Sequence, residues 1–279
     1  MRASCLQENL SRGLAVVGRA VATRPTLPVL SHILMSTDQS QIKLAATDLE
    51  LFIVCWIGAK VQEEGSVTLP ARLFIDLINS LPAERVDLEL DNQTMHLTCA
   101  RTEADINGID AQEFPLIPNS EVEQRILLAP DLLRQMISQV VFAAATDEAR
   151  PILTGVLARF EEDTVTMAAA DGFRLSVRQA QLDEPIPQPV SIVIPAQALN
   201  ELARISSDEK DPIGLFITPA RSQVLFHLQG DAGANQGAIF GIDLVSQLIE
   251  GNFVNYRQII PTSHNTRTIL NTKEFLKVC

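Results

Sequence analysis

The residues in this 279-residue chain best suited to chemistry are two aspartates, each set in a nearly repeated phrase. Asp48 lies in KLAATDLELFIVC (43–55) and Asp171 in TMAAADGFRLSVR (166–178). Two carboxylates at matched positions could hold a metal ion or share a proton, as hydrolytic sites do. Their surroundings argue for a plainer use. Each aspartate follows a β-rich run and precedes a short turn, where an Asp side chain accepts from its own backbone. Matched places in a repeat also keep the two a domain apart. The four cysteines (Cys5, Cys55, Cys99, Cys279) and four histidines (His32, His96, His227, His264) are scattered, with no ligand spacing. No metal site and no cofactor is expected from them. No Ser-His-Asp, Cys-His or HExxH arrangement stands out, so no catalytic residue is assigned. The glycine-rich GDAGANQG (230–237) lacks the Lys-Ser/Thr of a phosphate-binding loop and lies between two strand patterns. It reads as a hairpin loop.

Arginines are the other candidates. The chain carries 17 Arg and 5 Lys, yet its net charge is −12. Phosphate binding needs cations, but what matters is where they sit, not the average. Arg12, Arg19, Arg72, Arg134 and Arg204 all fall on helical patterns, which also carry Glu8, Asp76, Asp131 and Glu201. A nucleic-acid face and an ordinary salt-bridged surface would both look like this.

The elements that position these residues are legible as periodicity. A helix is expected over about 6–21, with Leu6, Leu10, Leu14, Val17 and Val21 at helical spacing. Pro25 bars its continuation. Short β-rich runs follow at 29–36, 41–46, 51–58 and 65–69. Pro70 then opens a helix over 70–81, where its missing N–H is harmless. Strands at 86–90, 94–100 and 103–108 precede a connector at 113–124. The order then recurs: a helix at 130–142, four strands near 152–160, 164–169, 174–179 and 190–194, a helix at 195–205 begun by Pro195, three strands near 213–218, 222–228 and 238–248, and a connector at 251–263.

Three landmarks keep this order at nearly constant offset. Asp48 and Asp171 are 123 residues apart, Pro70 and Pro195 are 125, and Arg24 and Arg150, in RPTLPVL and RPILTGV, are 126. The chain is therefore expected to be a tandem of two similar α+β units, 1–124 and 125–255. Each unit is itself a pseudo-twofold pair of helix-plus-antiparallel-strand halves. TILNTKEFLKVC (268–279) repeats the layout of LLAPDLLRQM (127–136), so residues 256–279 are expected to begin a third unit. On this reading the chain is a fragment, lacking roughly 100 residues of that unit if the period holds, and it is expected to be a folded monomer with weak or no retention on DNA. With 46% apolar but only 5% aromatic residues, the cores should be aliphatic. No run of 18 apolar residues and no signal-peptide pattern occurs, so the cytoplasm is the expected location.

At these repeated segments the sequence resembles the bacterial sliding clamps, the beta subunits of DNA polymerase III. The pieces that carry the resemblance are RPTLPVLSHIL (24–34), AATDLE (45–50), LPARLFIDLINSLP (69–82), EFPLIP (113–118), ATDEARPILTGV (145–156), AADGFRLSV (169–177), VIPAQALNELARI (193–205) and NFVNYRQIIP (252–261). The resemblance implies a non-catalytic ring of three-domain subunits joined head to tail as a homodimer, with helices lining a channel around duplex DNA and sheets forming the outer wall. Such a ring tethers the replicative polymerase and slides, so its phosphate contacts should be weak and independent of sequence.

The resemblance also assigns residues. Arg24 matches an arginine that approaches DNA, and Arg150 takes the same place in the second copy. Arg12, Arg19, Arg72, Arg134 and Arg204 become candidates for a diffuse field along the channel. Leu153, Ala170, Gly172, Phe173, Arg174, Leu175, Val254, Gln258 and Ile259 match a cleft that takes a short peptide from the polymerase, the clamp loader, repair polymerases and ligase. Four of these depart from the best-known members: Ala170 (often threonine), Phe173 (often histidine), Val254 (often proline) and Gln258 (often arginine). The strand near 100–108 matches the edge that closes the dimer, with Ala104 and Ile106 facing the contact. Two other readings stay open on the sequence: a clamp-like scaffold that closes no ring, and a hydrolase using Asp48 or Asp171.

Overall fold

The structure is a computed structural model that describes residues 1–117, 125–147, 149–218, 222–230 and 239–278. The rest of the first connector (118–124), most of the glycine-rich stretch (231–237) and Cys279 lie outside the described residues.

The first repeat runs β1 (Arg2–Leu6), α1 (Gln7–Val17), β2 (His32–Asp38), β3 (Gln41–Thr47), β4 (Leu51–Gly58), β5 (Lys60–Glu63), β6 (Ser66–Pro70), α2 (Ala71–Ser80), β7 (Arg85–Asp91), β8 (Thr94–Cys99) and β9 (Thr102–Asn107). The second runs β10 (Arg125–Leu128), α3 (Pro130–Val140), β11 (Gly155–Glu161), β12 (Thr164–Ala170), β13 (Leu175–Gln181), β14 (Val190–Pro195), α4 (Ala196–Ile205), β15 (Ile213–Ile217), β16 (Gln223–Leu228) and β17 (Ile239–Gln247). A short helix, α5 (Thr272–Leu276), follows; Asn271 caps it by accepting from the N–H groups of Lys273 and Glu274.

Periodicity misses β1, β5 and β10. β1 is five residues long and runs straight into α1, with no turn to mark the change. It is nonetheless an interior strand, paired with β5 on one side and β7 on the other. The first helix is also shorter than expected: after Val17 the chain tightens into a 3₁₀ turn at Gly18–Ala20. Likewise 29–36 divides into a 3₁₀ turn at Pro28–Ser31 and the strand β2.

The described residues form three antiparallel sheets. One has the order β5-β1-β7-β8-β9, one β13-β12-β11-β14, and the largest joins the repeats as β10-β15-β16-β17-β4-β3-β2-β6. At its seam β17 pairs with β4, with Asp243 opposite Val54 and Val245 opposite Phe52. Local patterning cannot announce this pairing, because its partners lie nearly 190 residues apart. The main hydrophobic core of the described residues runs through both repeats, from Leu10 and Leu14 of α1 to Leu199 and Leu202 of α4. It is mainly aliphatic, with Phe74, Phe160 and Phe226 its largest members.

The pairing also corrects one landmark. His32 of β2 opposes Pro70, and Gly155 of β11 opposes Pro195. Since Pro70 and Pro195 are equivalent, so are His32 and Gly155, 123 residues apart. That register matches Pro28 to Pro151, each the first residue of a 3₁₀ turn. Arg24 is therefore not the counterpart of Arg150. The segments between the first helix of each repeat and that turn, 18–27 and 141–150, are equally long, so Leu27 stands where Arg150 stands and Asp147 stands where Arg24 does.

Candidate nucleic-acid interface and partner cleft

α1 and α2 pack together, as do α3 and α4, and an ion pair between Arg19 and Glu201 joins the two helix pairs. Each helix buries its apolar stripe and turns charged residues outward. In α1 the buried residues are Gln7, Leu10, Gly13, Leu14 and Val17, which leaves Arg12 exposed. Gly13 permits a close approach to the sheet: a Cβ there would stand 2.8 Å from Ile57 Cγ2 and 2.9 Å from Leu44 Cδ1.

The seven arginines assigned to DNA occupy different settings. Arg24 and Arg72 are exposed; among the described residues Arg24 has no ion-pair partner, and Arg72 has Asp76 at 4.0 Å. Arg19 Nη1 donates to Glu201 Oε2 at 3.0 Å, and Arg204 Nη1 donates to Glu201 Oε1 at 2.7 Å. Arg134 is a tie within the fold. Its guanidinium donates to Asp131 and to the carbonyl of Ser206, which follows α4. A cation at that helix end also meets the negative pole of the helix. Arg150 points elsewhere, donating to the carbonyl of Asp171 at 3.1 Å and lying against Gly172.

Asp171 forms the turn that the sequence implies. Its Oδ1 accepts from the N–H groups of Phe173 (2.9 Å) and Arg174 (3.0 Å), and its Oδ2 takes Arg174 Nε at 2.9 Å. Asp48 repeats the turn, accepting from Glu50 (3.0 Å) and Leu51 (2.8 Å). The backbone donors of Phe173 and Arg174, with the Arg174 side chain after them, hold the Asp171 carboxyl below the usual range. Both aspartates are consumed as turn acceptors. Among the described residues no group of three His, Cys, Asp or Glu side chains could hold a metal.

Of the nine cleft positions, Leu153 and Ala170 are buried and Leu175 is half-buried. Gly172 takes a positive φ of 95°, and Phe173 projects from the turn with 98% of its surface exposed. Ile259 is also exposed. The structure does not collect the nine into one cavity. Val254 and Gln258 line an open depression of about 530 Å³ with Leu157, Arg159, Ser191 and Tyr256. Arg174 lines a second, of about 350 Å³, beside the exposed Phe142, whose ring lies 5.8 Å from the guanidinium. Periodicity gives no hint of Phe142 here, because it falls in the 3₁₀ turn that ends α3. The connector beneath is well anchored: Phe253 and Tyr256 pack on Leu157, Ala168 and Val193. Phe114 and Ile117 do the same on Val29, Ala45 and Val54 in the first repeat.

The dimer-edge assignment needs a correction. β9 is an edge strand, but Ile106 is only 2% exposed and belongs to the core, and Ala104 on the same side is half-buried. Alternation along the strand sends both inward. The edge offers a partner its backbone and its outward residues. Among these, Asp105 is hydrogen-bonded to His96, and that bond, ahead of the charges of Asp105, Glu103 and Glu89, raises the His96 pKa.

Comparison with known proteins points to one family. Residues 1–118 match the model of the DNA polymerase III beta subunit N-terminal domain, and residues 127–255 match the model of its central domain. The chain is 33% identical to the beta sliding clamp of Bacillus subtilis over 288 residues, covering 99% of this chain and 72% of that one. It is 34% identical to the beta sliding clamp of Synechocystis over 298 residues, covering 99% and 73%. Among solved structures, the Bacillus subtilis DNA polymerase sliding clamp superposes with a TM-score of 0.91 at 32% identity, covering 99% of this chain and 72% of that one. The DNA polymerase III subunit beta of Pseudomonas aeruginosa does so at 0.83 and 25%, covering 94% and 68%.

Proposed function

We infer the working of this chain from its family: it belongs to the DNA polymerase III beta subunits, sliding clamps that act as processivity factors of DNA polymerase and are not themselves catalytic. On this reading the side formed by α1, α2, α3 and α4 rides on duplex DNA, and the sheets face away from it. The observation that carries it is the joining of the repeats. Arg12 and Arg19 of the first repeat and Arg204 of the second line one crevice, while strands of both repeats form one continuous sheet. Arg24 and Arg72 contact phosphate most directly, and Arg12, Arg19 and Arg204 add to the field. Arg134 acts by holding α3 to α4, and Arg150 by supporting the turn at Asp171.

The cleft around Leu153, Ala170, Gly172, Phe173, Arg174, Leu175, Val254, Gln258 and Ile259 receives a short peptide from the replicative polymerase subunit, the clamp loader, repair polymerases and ligase. Half-buried Leu175 and exposed Phe173 and Ile259 leave apolar surface open to a peptide, which supports that use. Units 1–124 and 125–255 act as two clamp domains, and 256–279 open a third. β9 and β13 are open sheet edges. In the repeat β9 corresponds to β17 and β13 to β4, and β17 pairs with β4, so the two edges are of complementary kinds. That relation supports head-to-tail closure as a homodimer. The protein works in the cytoplasm, and no helix among the described residues is long and apolar enough to cross a membrane.

Equilibrium binding to duplexes of unrelated sequence tests the DNA-facing side. Affinity should be the same for each duplex and fall steeply with salt, and Arg72→Gln should lower the salt slope by about 1. Binding that follows base sequence, or that ignores salt, would defeat the reading.

A further inference from the structure

We propose that Glu201 sets how firmly the helical side holds duplex DNA, by sharing its carboxylate between one arginine of each repeat and so withholding both from phosphate. The inference rests on the DNA-facing reading above.

Arg19 sits in the 3₁₀ turn after α1, and Arg204 sits in the last turn of α4. Glu201 lies one turn before Arg204, on the same side of that helix. Each carboxylate oxygen accepts from a different guanidinium, Oε2 from Arg19 and Oε1 from Arg204. The carboxylate is the least exposed of the three, at 13%, against 39% for Arg19 and 61% for Arg204. It is therefore tucked between two cations that themselves reach solvent.

The site lies at the junction of the repeats. A crevice of about 280 Å³ there is lined by Arg12, Arg19 and Arg204 together with Asp208 and Glu209. Without Glu201, Arg19 and Arg204 would present two charges to a phosphate at this crevice. With it, the trio carries a net charge of one, and each guanidinium has donors committed before DNA arrives. Phosphate must compete with the carboxylate for the same N–H groups. A clamp that slides needs contacts that form and break readily, and an internal anion that retakes the arginines supplies that exchange. Arg24 and Arg72 meet no comparable competition, since among the described residues the first has no ion-pair partner and the second has only Asp76 at 4.0 Å.

Glu201→Gln is the test, because glutamine keeps the size and one acceptor oxygen while removing the charge. Duplex affinity is measured across a salt series for this variant, for Arg19→Gln, for the double variant and for Arg72→Gln. Glu201→Gln should tighten binding about tenfold at low salt and steepen the salt slope by about 1 to 2. Arg19→Gln should cost about twofold alone, but should remove most of the gain in the Glu201→Gln background. A carboxylate that only fastened the repeats together would behave otherwise: Glu201→Gln and Arg19→Gln would lower the melting temperature alike, and neither would tighten DNA binding. That result overturns the proposal. If Arg72→Gln weakens binding while Glu201→Gln changes neither affinity nor slope, the proposal falls and the DNA-facing reading stands. If no variant shows salt-dependent duplex binding, both fall. Should Glu201→Gln fail to fold, the pair Arg19→Gln/Arg204→Gln decides. It should cost less affinity than Arg24→Gln/Arg72→Gln, and an equal or larger loss counts against the proposal.

Discussion

Leu49 and Gly172 stand at the same place in the two repeats, one residue past the turn aspartate, and both have a positive φ, 82° and 95°. In one repeat glycine accepts this backbone without strain; in the other a leucine bears it. Leu49 is exposed, so little packing would be lost with its side chain. Leu49→Gly should therefore raise stability by about 0.5–1 kcal/mol, after allowing for the added freedom of the unfolded chain. Gly172→Ala should lower it by about 1 kcal/mol, since its Cβ would also meet Arg150 Nη1 at 3.2 Å. Urea denaturation of the two variants checks both signs.

Gly13 in α1 should reverse the usual helix rule. Alanine normally stabilises an exposed helix position over glycine by up to about 1 kcal/mol. Here the new methyl would stand within 3.0 Å of Ile57 and Leu44 in the sheet beneath. Gly13→Ala should destabilise by about 1–2 kcal/mol through overpacking. A rise in melting temperature would show that the helix–sheet spacing is looser than described.

Arg134 should matter more to folding than to DNA. Its guanidinium serves the Ser206 carbonyl and Asp131. Ser206 is fully buried, so removing the donor leaves a poorly solvated acceptor. Arg134→Met should cost about 1–3 kcal/mol of stability and change duplex affinity less than Arg72→Gln does. Thermal melts beside the binding series distinguish the two effects.

His227 and Asp243 tie β16 to β17 in the joined sheet, with Nδ1 at 2.6 Å from Oδ1. The Asp243 hydrogen bond, ahead of its charge, raises the His227 pKa above 6.5; Glu209 assists, while burial and Arg125 oppose. A His pKa raised by folding favours the folded state most when protonated. The contribution is complete below about pH 6.5 and fades as pH rises through the elevated value. Asp243→Asn should therefore lower the melting temperature more at pH 6 than at pH 9. An equal loss at both would mean that the pair carries no linked proton.

The fold was legible where turn chemistry is local. Asp48 and Asp171, Pro70 and Pro195 mark the same turns and helix starts in both repeats, because each residue acts on its own neighbours in sequence. Legibility failed where structure is non-local or short. β1 runs into α1 without punctuation, β10 is only four residues long, and the pairing of β17 with β4 depends on residues almost 190 apart. The matching RP pairs at Arg24 and Arg150 misled because a two-residue match can recur out of register; the pairing of His32 with Pro70 and Gly155 with Pro195 sets the offset at 123, not 126. At the candidate sites, residue type pointed to arginine-rich helices, but not to Glu201 holding two of those arginines or Ser206 holding a third. The resemblance placed Ile106 at the dimer contact, and the alternation of side chains along β9 sends it into the core.

The central claim, that the helical side of both repeats meets DNA and the sheets do not, is tested most directly by charge reversal on opposite faces. Lys43 lies on the sheet side, with its ammonium 5.4 Å from the Trp56 ring, whereas Arg72 lies on α2 and Arg24 in the exposed loop after α1. Anisotropy of a labelled duplex at low salt should show that Arg24→Glu and Arg72→Glu each weaken binding about tenfold, while Lys43→Glu leaves it unchanged. Loss of binding with Lys43→Glu and none with the two arginine reversals would contradict the account.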